Sequence, residues 1–476
     1  MHYQVNIIRH SLNFLMKRCR LAHLYINGFK IMQKITLKNI ISILKLASPL
    51  IANNLAIAGI QVTDALMAGQ LGPKELAAVA VGGSIWFLIF QAYNGMMMAM
   101  SPIVARLFGE KKEQLIGRYS RQACLMSFFI GVIVILLIKQ FITILLEAVG
   151  IDIEFRHLVV EFTTTIIYGA PGIFLFLVFR YTTEGIGFTR PVMYSSVLAL
   201  ILNILLNYTF IFGNFGAPKM GVLGCGLASA ISMWLVFFYL SCYVFMNPRY
   251  KKLKIFEKAT AFRLTIMREI LKLGIPISIS VTAEAGLFSA VSIMIGTLGA
   301  IITSANQIAL NVITVTFMIP LAISAATTVK VGQSLGKSDN DQARVYAYTG
   351  VFICGLFMLI SSCLLLLIRG EIIDLYTNNK FIKDMAMNLL LVAAIFQIVD
   401  GIQIGAAGAL RGYKDTKVPM IINLFSYWVL AFPLSYVLGK VYKLPPSFIW
   451  CGFVLGLSVA AILLTNRLNN VSASHQ

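Results

Sequence analysis

The chain repeats itself at one fixed spacing. Leu46 and Pro49 return 227 residues later as Leu273 and Pro276, and Gly69, Leu71 and Gly72 return as Gly296, Leu298 and Gly299. Val104, Gly109, Tyr119, Gly185 and Thr189 come back as Val331, Gly336, Tyr346, Gly412 and Thr416. The register holds from 46 to 193 without an insertion. Two copies that stay aligned over that length share one fold. The chain is therefore a pair of like units, and the interface between them is the first place to look for a site.

Hydropathy says what the units are made of. Hydrophobic residues are 58% of the 476 positions, charged ones only 12%, and the mean hydropathy is +0.83. A soluble domain carries about twice that charge. Apolar stretches long enough to cross a bilayer recur at about 44–69, 75–105, 122–147, 158–180, 191–213, 221–246, 271–296, 302–329, 344–368, 385–410, 418–438 and 446–466. These spans predict an all-α polytopic membrane protein, and no series of short alternating segments points to a barrel. The second and eighth are longer than a bilayer needs and are expected to tilt or project from it. Pro49, Pro171, Pro276 and Pro320 are expected to bend their spans as static kinks. Met96, Met97, Met98 and Met100 read as packing residues, and Gly221, Gly224 and Gly226 as sites of close helix approach.

Six spans per copy place both copies in the membrane the same way round. The expected architecture is two pseudo-symmetric, parallel six-helix lobes around a central cavity. Residues 1–40 form an N-terminal extension, 41–246 the first lobe, 247–272 a basic linker, 273–466 the second lobe and 467–476 a tail. The extension lacks a compact apolar core followed by a cleavage site, so it is no signal peptide. Translation from Met32, leaving 1–31 unmade, is favoured over an amphipathic segment lying on the membrane.

The net charge of +20 suggests nucleic acid until its distribution is examined. Of 39 Lys and Arg, 21 follow even-numbered spans and 9 follow odd-numbered ones. Arg106, Lys111, Lys112, Arg118 and Arg121 cluster after the second span, and the central linker is as basic. Such alternation orients a membrane protein, with both termini and the linker in the cytoplasm. The excess faces anionic lipid, and no nucleic-acid partner is expected. No pair among the seven cysteines has a metal or redox spacing. All five histidines lie outside the spans, so no embedded histidine relays protons or holds a metal.

Chemistry is sought where the copies disagree, because a scaffold role repeats with the scaffold. Asp64 aligns with Val291, Glu284 with Ile57 and Asp400 with Ile173. An ionised side chain at mid-membrane costs about 2.5–3.5 kcal/mol even on the lenient insertion scale, and such acids usually mark an ion or proton pathway. Gln61 shares the face of Asp64. Gln397, Asp400 and Gln403 form a polar stripe, Asn203 and Asn207 lie four apart, and Gln307 with Asn311 lines the eighth span. Together they suggest a wet interior in both lobes. Glu284, flanked by Val281 and Phe288, has the drier setting and is the first choice for a group that gains and loses a proton. Alternatively, the carboxylates and amide oxygens hold Na⁺. Either ion would displace a cationic substrate from one negative charge, which is antiport without further machinery. The turns at Glu184-Gly185 and at Arg411-Gly412 read as structural.

Three segments resemble the MATE (multidrug and toxic compound extrusion) transporters: Gln61-Val-Thr-Asp64-Ala-Leu-Met-Ala-Gly69, Asn306-Gln-Ile-Ala-Leu-Asn311 and Leu410-Arg-Gly-Tyr-Lys-Asp-Thr416. The resemblance spans about 41–466. It implies a V-shaped pair of lobes in a bacterial inner membrane, exporting organic cations and hydrophobic drugs by H⁺- or Na⁺-driven antiport. No enzymatic activity or other cofactor is implied. The expected partners are those small molecules and the lipid bilayer, and the chain is expected to be a monomer. Glu284 and Asp400 match the cation-binding acids of the NorM-like branch, Asp64 the first-lobe coupling acid, and Asn203 and Asn207 its polar companions. Phe288 and Phe396 are expected to supply apolar cavity wall. One departure matters: Phe396 stands where the NorM pattern has a tyrosine, which shifts the expectation from Na⁺ toward protons.

Two alternatives are weaker. A lipid-linked oligosaccharide flippase of the same superfamily needs a basic interior, and no Lys or Arg lies deep in the spans. An intramembrane enzyme needs a nucleophile–base or metal constellation that is missing from them.

Overall fold

The computed structural model describes residues 34–257 and 262–474. Most of the N-terminal extension, including Met32, lies outside the described residues. Among those described, twelve helices are long and apolar enough to cross a membrane. In the first copy they are α1 (Leu37–Gly69), α2 (Pro73–Gly109), α3 (Glu113–Val149), α4 (Ile153–Gly185), α5 (Arg190–Phe212) and α6 (Gly221–Met246). In the second they are α7 (Leu264–Gly296), α8 (Ile301–Gly336), α9 (Asn340–Asp374), α10 (Lys380–Gly412), α11 (Lys417–Val441) and α12 (Pro446–Ser474).

The number agrees with the sequence pattern and most limits do not. Hydropathy marks the stretch that fits hydrocarbon, whereas polar helix formers carry the same helix on into water. Residues 264–272, read as linker, are the base of α7, and 467–474, read as tail, continue α12. Capping sets other ends: the Asp339 carboxylate accepts from Gln342 N at 2.9 Å at the start of α9, and Asn379 accepts from Phe381 N at 3.0 Å at the start of α10.

Proline accounts for several of the breaks, though not always the expected prolines, and α9 kinks at Ile368 without one. α4 tightens into a 3₁₀ turn at Ile167–Gly169 just before Pro171. Pro49, Pro276 and Pro320 lie inside continuous helices. α2 is interrupted between Met97 and Met100, just ahead of Pro102. α11 widens into π-helix at Phe425–Ala431 and Val437–Val441, on either side of a short helix that holds Pro433.

Among the described residues two large apolar cores stand out, with three smaller clusters beside them. The first gathers Met97, Met100, Phe162 and Phe174, so the methionines pack as expected. The second gathers Phe396, Tyr427, Trp450 and Phe453 around α10, whose residues 403–412 are all buried. The repeated glycines follow from geometry. Gly72 and Gly299 precede α2 and α8 with φ of 153° and 123°, a region open to glycine almost alone.

The lobes are not independent. Met267 and Ile270, at the base of α7, belong to the first core. Ile43, Leu46 and Ala47, at the base of α1, pack with Ile323, Ala326 and Val329 of α8 and with Ile353 of α9. Each copy's first helix thus leans on the other lobe. Where α2 and α8 cross, a Cβ on Gly336 would come within 2.9 Å of Glu110 N and of Gly109 Cα. That crossing closes the end of the bundle carrying the basic loops.

Candidate functional site

In the first lobe, Asp64 sits five residues before the end of α1, nearer that end than the middle of the span. It is half-buried, and Asn207 Nδ2 of α5 donates to its Oδ1 at 2.6 Å. Ser229 Oγ of α6 reaches Oδ2 at 3.5 Å, and Asn207 Nδ2 also donates to Asn203 Oδ1 at 3.2 Å. Asn203 and Asn207, one turn apart on α5, present both amides to one carboxylate. Ser229 is an addition that sequence pattern missed, since a lone serine beside glycines and alanines carries no signal. Gln61, three residues before Asp64 on α1, is exposed and makes no hydrogen bond to Asp64.

In the second lobe the stripe on α10 is present but dry. Asp400 is 3% exposed, and Gln397 and Gln403 are fully buried. Gln397 Nε2 donates to Thr316 Oγ1 of α8 at 3.1 Å, and Gln403 Nε2 to the Tyr427 hydroxyl of α11 at 2.9 Å. With both amide nitrogens engaged, the oxygens are left over. Asp400 Oδ1, Gln397 Oε1, Gln403 Oε1 and Asn423 Oδ1 are all buried without a donor. Asn423 donates to Ser280 Oγ of α7 at 2.7 Å, and Ser280 shares a helix face with Glu284 four residues on. Glu284 is half-buried and acts electrostatically on Asp400 and Tyr427. The expected order is therefore reversed: Asp400 is the drier acid, because α10 is enclosed by α8, α9 and α12 while α7 stands at the edge.

One aromatic expectation is corrected as well. Phe396 is fully buried, 5.9 Å from the rings of Trp450 and Phe453, and Phe288 packs on Phe453 at 4.5 Å. Phe396 is core rather than cavity wall. The hydroxyl beside the acids comes from Tyr427, one turn after Asn423. That Asn-x-x-x-Tyr spacing was the available signal. Gln307 and Asn311 lie apart from the acids, exposed on α8 and bonded to each other at 3.2 Å. Asn306 instead accepts from Trp450 Nε1 at 3.1 Å within the second core.

A third polar group lies between the lobes. Arg180 pairs with Glu184 at 2.8 Å, with side chains 12% and 1% exposed, and Tyr181 donates to Asn94 Oδ1 at 2.7 Å. Arg411, buried, donates to Ser324 Oγ at 2.8 Å and lies within electrostatic reach of Tyr181 and Glu284. The turns read as purely structural thus carry buried charge. Glu184 and Arg411 are repeat mates of opposite sign, a disagreement between the copies like that of the three acids.

Taken together, the site offers three carboxylates, four buried oxygens without donors in the second lobe, and in the first an amide–carboxylate network in which Asn207 Oδ1 alone lacks a donor. It has no paired nucleophile and base.

Known proteins bear on this arrangement. The MatE family profile matches residues 49–209 and 276–437, one match in each copy. The probable multidrug resistance protein NorM of Acinetobacter baylyi is 35% identical over 90% of this chain and 96% of its own. The multidrug resistance protein MdtK of Photorhabdus laumondii is 35% identical over 91% and 96%, and the NorM of Vibrio vulnificus 34% identical over 90% and 94%. Among solved structures, the eukaryotic MATE transporter AtDTX14 superposes with a TM-score of 0.83 over 92% of this chain and 98% of that one, at 21% identity. A multidrug resistance MATE family transporter in its outward-facing conformation superposes with a TM-score of 0.83 over 92% and 97%, at 20% identity. The chain is a twelve-span membrane protein of the MatE family.

Proposed function

We propose that the chain is a secondary active multidrug exporter that exchanges organic cations and hydrophobic drugs for an incoming cation, by rocking of its two lobes. The observation that carries this reading is the set of buried oxygens around Asp400. A carboxylate out of water is tolerated only when paired, hydrated or protonated, and Asp400 has a second acid beside it instead of a base. Four oxygens without donors fit a hard monovalent cation. Na⁺ accepts several oxygen ligands, whereas a proton on Asp400 supplies a single donor. The proton reading retains one support, the lack of a hydroxyl at Phe396, though Tyr427 supplies one from another helix.

Asp64, with Asn203 and Asn207, is the first-lobe counterpart and binds substrate or the coupling ion in turn. Competition for one buried negative charge links the two flows: a cationic drug leaves when the coupling cation arrives. The alternation of basic loops supports an orientation with both termini and the α2–α8 crossing on the cytoplasmic side of a bacterial inner membrane. A flippase for anionic lipid-linked sugars requires net positive charge inside, and Arg180, one of the buried guanidiniums, is already neutralised by Glu184.

The test is efflux of a fluorescent organic cation from proteoliposomes under separately imposed Na⁺ and H⁺ gradients. Glu284→Gln and Asp400→Asn should each abolish gradient-driven transport. If neither gradient moves the dye in the unmodified protein, the antiport reading fails. If both substitutions leave transport intact, the assignment of the acids fails.

A further inference from the structure

Because α1 and α7 each lean on the opposite lobe, the bundle has the same seam twice: once where α7 meets α2 and α3, and once where α1 meets α8 and α9. Repeat mates compare the two directly. Tyr119 corresponds to Tyr346 and Lys272 to Lys45, but Ile103 corresponds to Lys330, Glu110 to Lys337 and Glu269 to Ser42. At the first seam both carboxylates are paired. Glu269 accepts from the Tyr119 hydroxyl and pairs with Lys414 at 3.0 Å, while Glu110 pairs with Lys112 at 2.8 Å and with Arg106 at 3.3 Å.

The second seam has lost both carboxylates and gained two lysines. Lys330, half-buried in α8, holds its ammonium 5.8 Å over the Tyr346 ring, with Lys45 and Lys337 as its charged neighbours. Leu46 and Val329, adjacent in sequence to Lys45 and Lys330, pack in one cluster with Tyr346, which fixes the three elements together. Among the described residues, none of these three lysines is in an ion pair. Asp339, the nearest acid along the chain, caps α9 instead, and Glu110 across the glycine crossing is held by Arg106 and Lys112. Three cations around a membrane seam with no counter-charge of their own call for an anion from outside the chain. The surroundings say which kind. Leu37, Ile41 and Leu44, on the strip of α1 that carries Lys45, are 71%, 53% and 38% exposed, an apolar surface suited to acyl chains rather than water.

We infer that the α1–α8–α9 seam binds the headgroup of an anionic phospholipid, with Lys45, Lys330 and Lys337 around its phosphate and the exposed strip of α1 along its acyl chains. Lys45 belongs to one copy and Lys330 and Lys337 to the other, so the lipid bridges the lobes and favours the state in which this end is closed. Assigning the site to the cytoplasmic leaflet rests on the orientation proposed above. The binding itself does not.

Native mass spectrometry of the purified full chain with phosphatidylglycerol, against phosphatidylcholine of the same acyl chains, tests it. Retention of phosphatidylglycerol should exceed that of phosphatidylcholine and fall by about fivefold for each of Lys45→Gln, Lys330→Gln and Lys337→Gln. Lys330→Arg should keep it, and Lys272→Gln at the seam that has its own carboxylates should leave it unchanged. Thermal unfolding of each variant separates lost binding from lost fold. Equal retention of the two lipids overturns the proposal, as does a Lys272→Gln effect matching that of Lys330→Gln. Displacement of the lipid by inorganic phosphate alone also overturns it, since the site would then be one for a free anion.

Discussion

At the scale of single residues, what distinguishes the second lobe is a surplus of acceptors over donors. Gln403 spends its amide on the Tyr427 hydroxyl at 2.9 Å, and its oxygen, like Asp400 Oδ1, is buried without a donor. Tyr427→Phe removes that acceptor and strands a buried amide, which costs about 1–3 kcal/mol. We expect a lower unfolding temperature in detergent and a higher coupling-ion concentration for half-maximal efflux, with the maximal rate retained. Phe396→Tyr makes the opposite point. It restores the hydroxyl of the NorM pattern, but the ring is wedged against Trp450 and Phe453 in a packed core that has to make room for the added group. It should destabilise by a similar amount and leave Na⁺ dependence unchanged, and a gain in Na⁺ affinity would show that Phe396 does face the acids. In the first lobe, Asn207→Ala removes a 2.6 Å bond to a carboxylate, so transport should fall although the fold survives, read as initial dye efflux against circular dichroism.

Helices were legible where hydrophobicity alone decides and illegible where it does not. The core of every span could be read because a bilayer demands a continuous apolar run. The water-side extensions of α7 and α12 could not, because helix propensity there competes with nothing that a hydropathy window sees. The three acids stood out as repeat mates of aliphatic residues. Burial did not: which of Glu284 and Asp400 is drier depends on the neighbours of α10, and neighbours are a tertiary fact. The glycine crossing belongs to the same scale. A side chain at Gly336 must displace the backbone of α2, so Gly336→Leu should hold α2 and α8 apart at the closed end. Spin labels on the loops after the two helices should report a longer distance and a broader distribution, while Gly299→Ala, which strains a turn rather than the crossing, should lower stability and leave that distance alone.

For the whole molecule, the exchange of first helices makes the two copies mutually dependent. Met267 and Ile270 complete a core whose other members lie almost entirely in the first copy, and Ile43, Leu46 and Ala47 bury themselves largely against the second. Either half alone would expose those surfaces and leave its own base incomplete. Together they can form every contact of the intact chain, because the connection between α6 and α7 spans the copies without contributing to either set of acids. Two polypeptides divided in that connection and expressed together should therefore assemble, co-purify through a tag on one half and restore dye efflux. Each half expressed alone should be degraded or purify as a heterogeneous, less heat-stable species. The loss should be larger than that caused by any single seam substitution, since buried apolar area outweighs a half-exposed pair such as Glu269–Lys414, worth about 1 kcal/mol or less. A half that purifies alone as a single species with the thermal stability of the intact chain would mean that the first helices merely touch the opposite lobe, and rocking would then be resisted by the charged seams instead of by the shared cores.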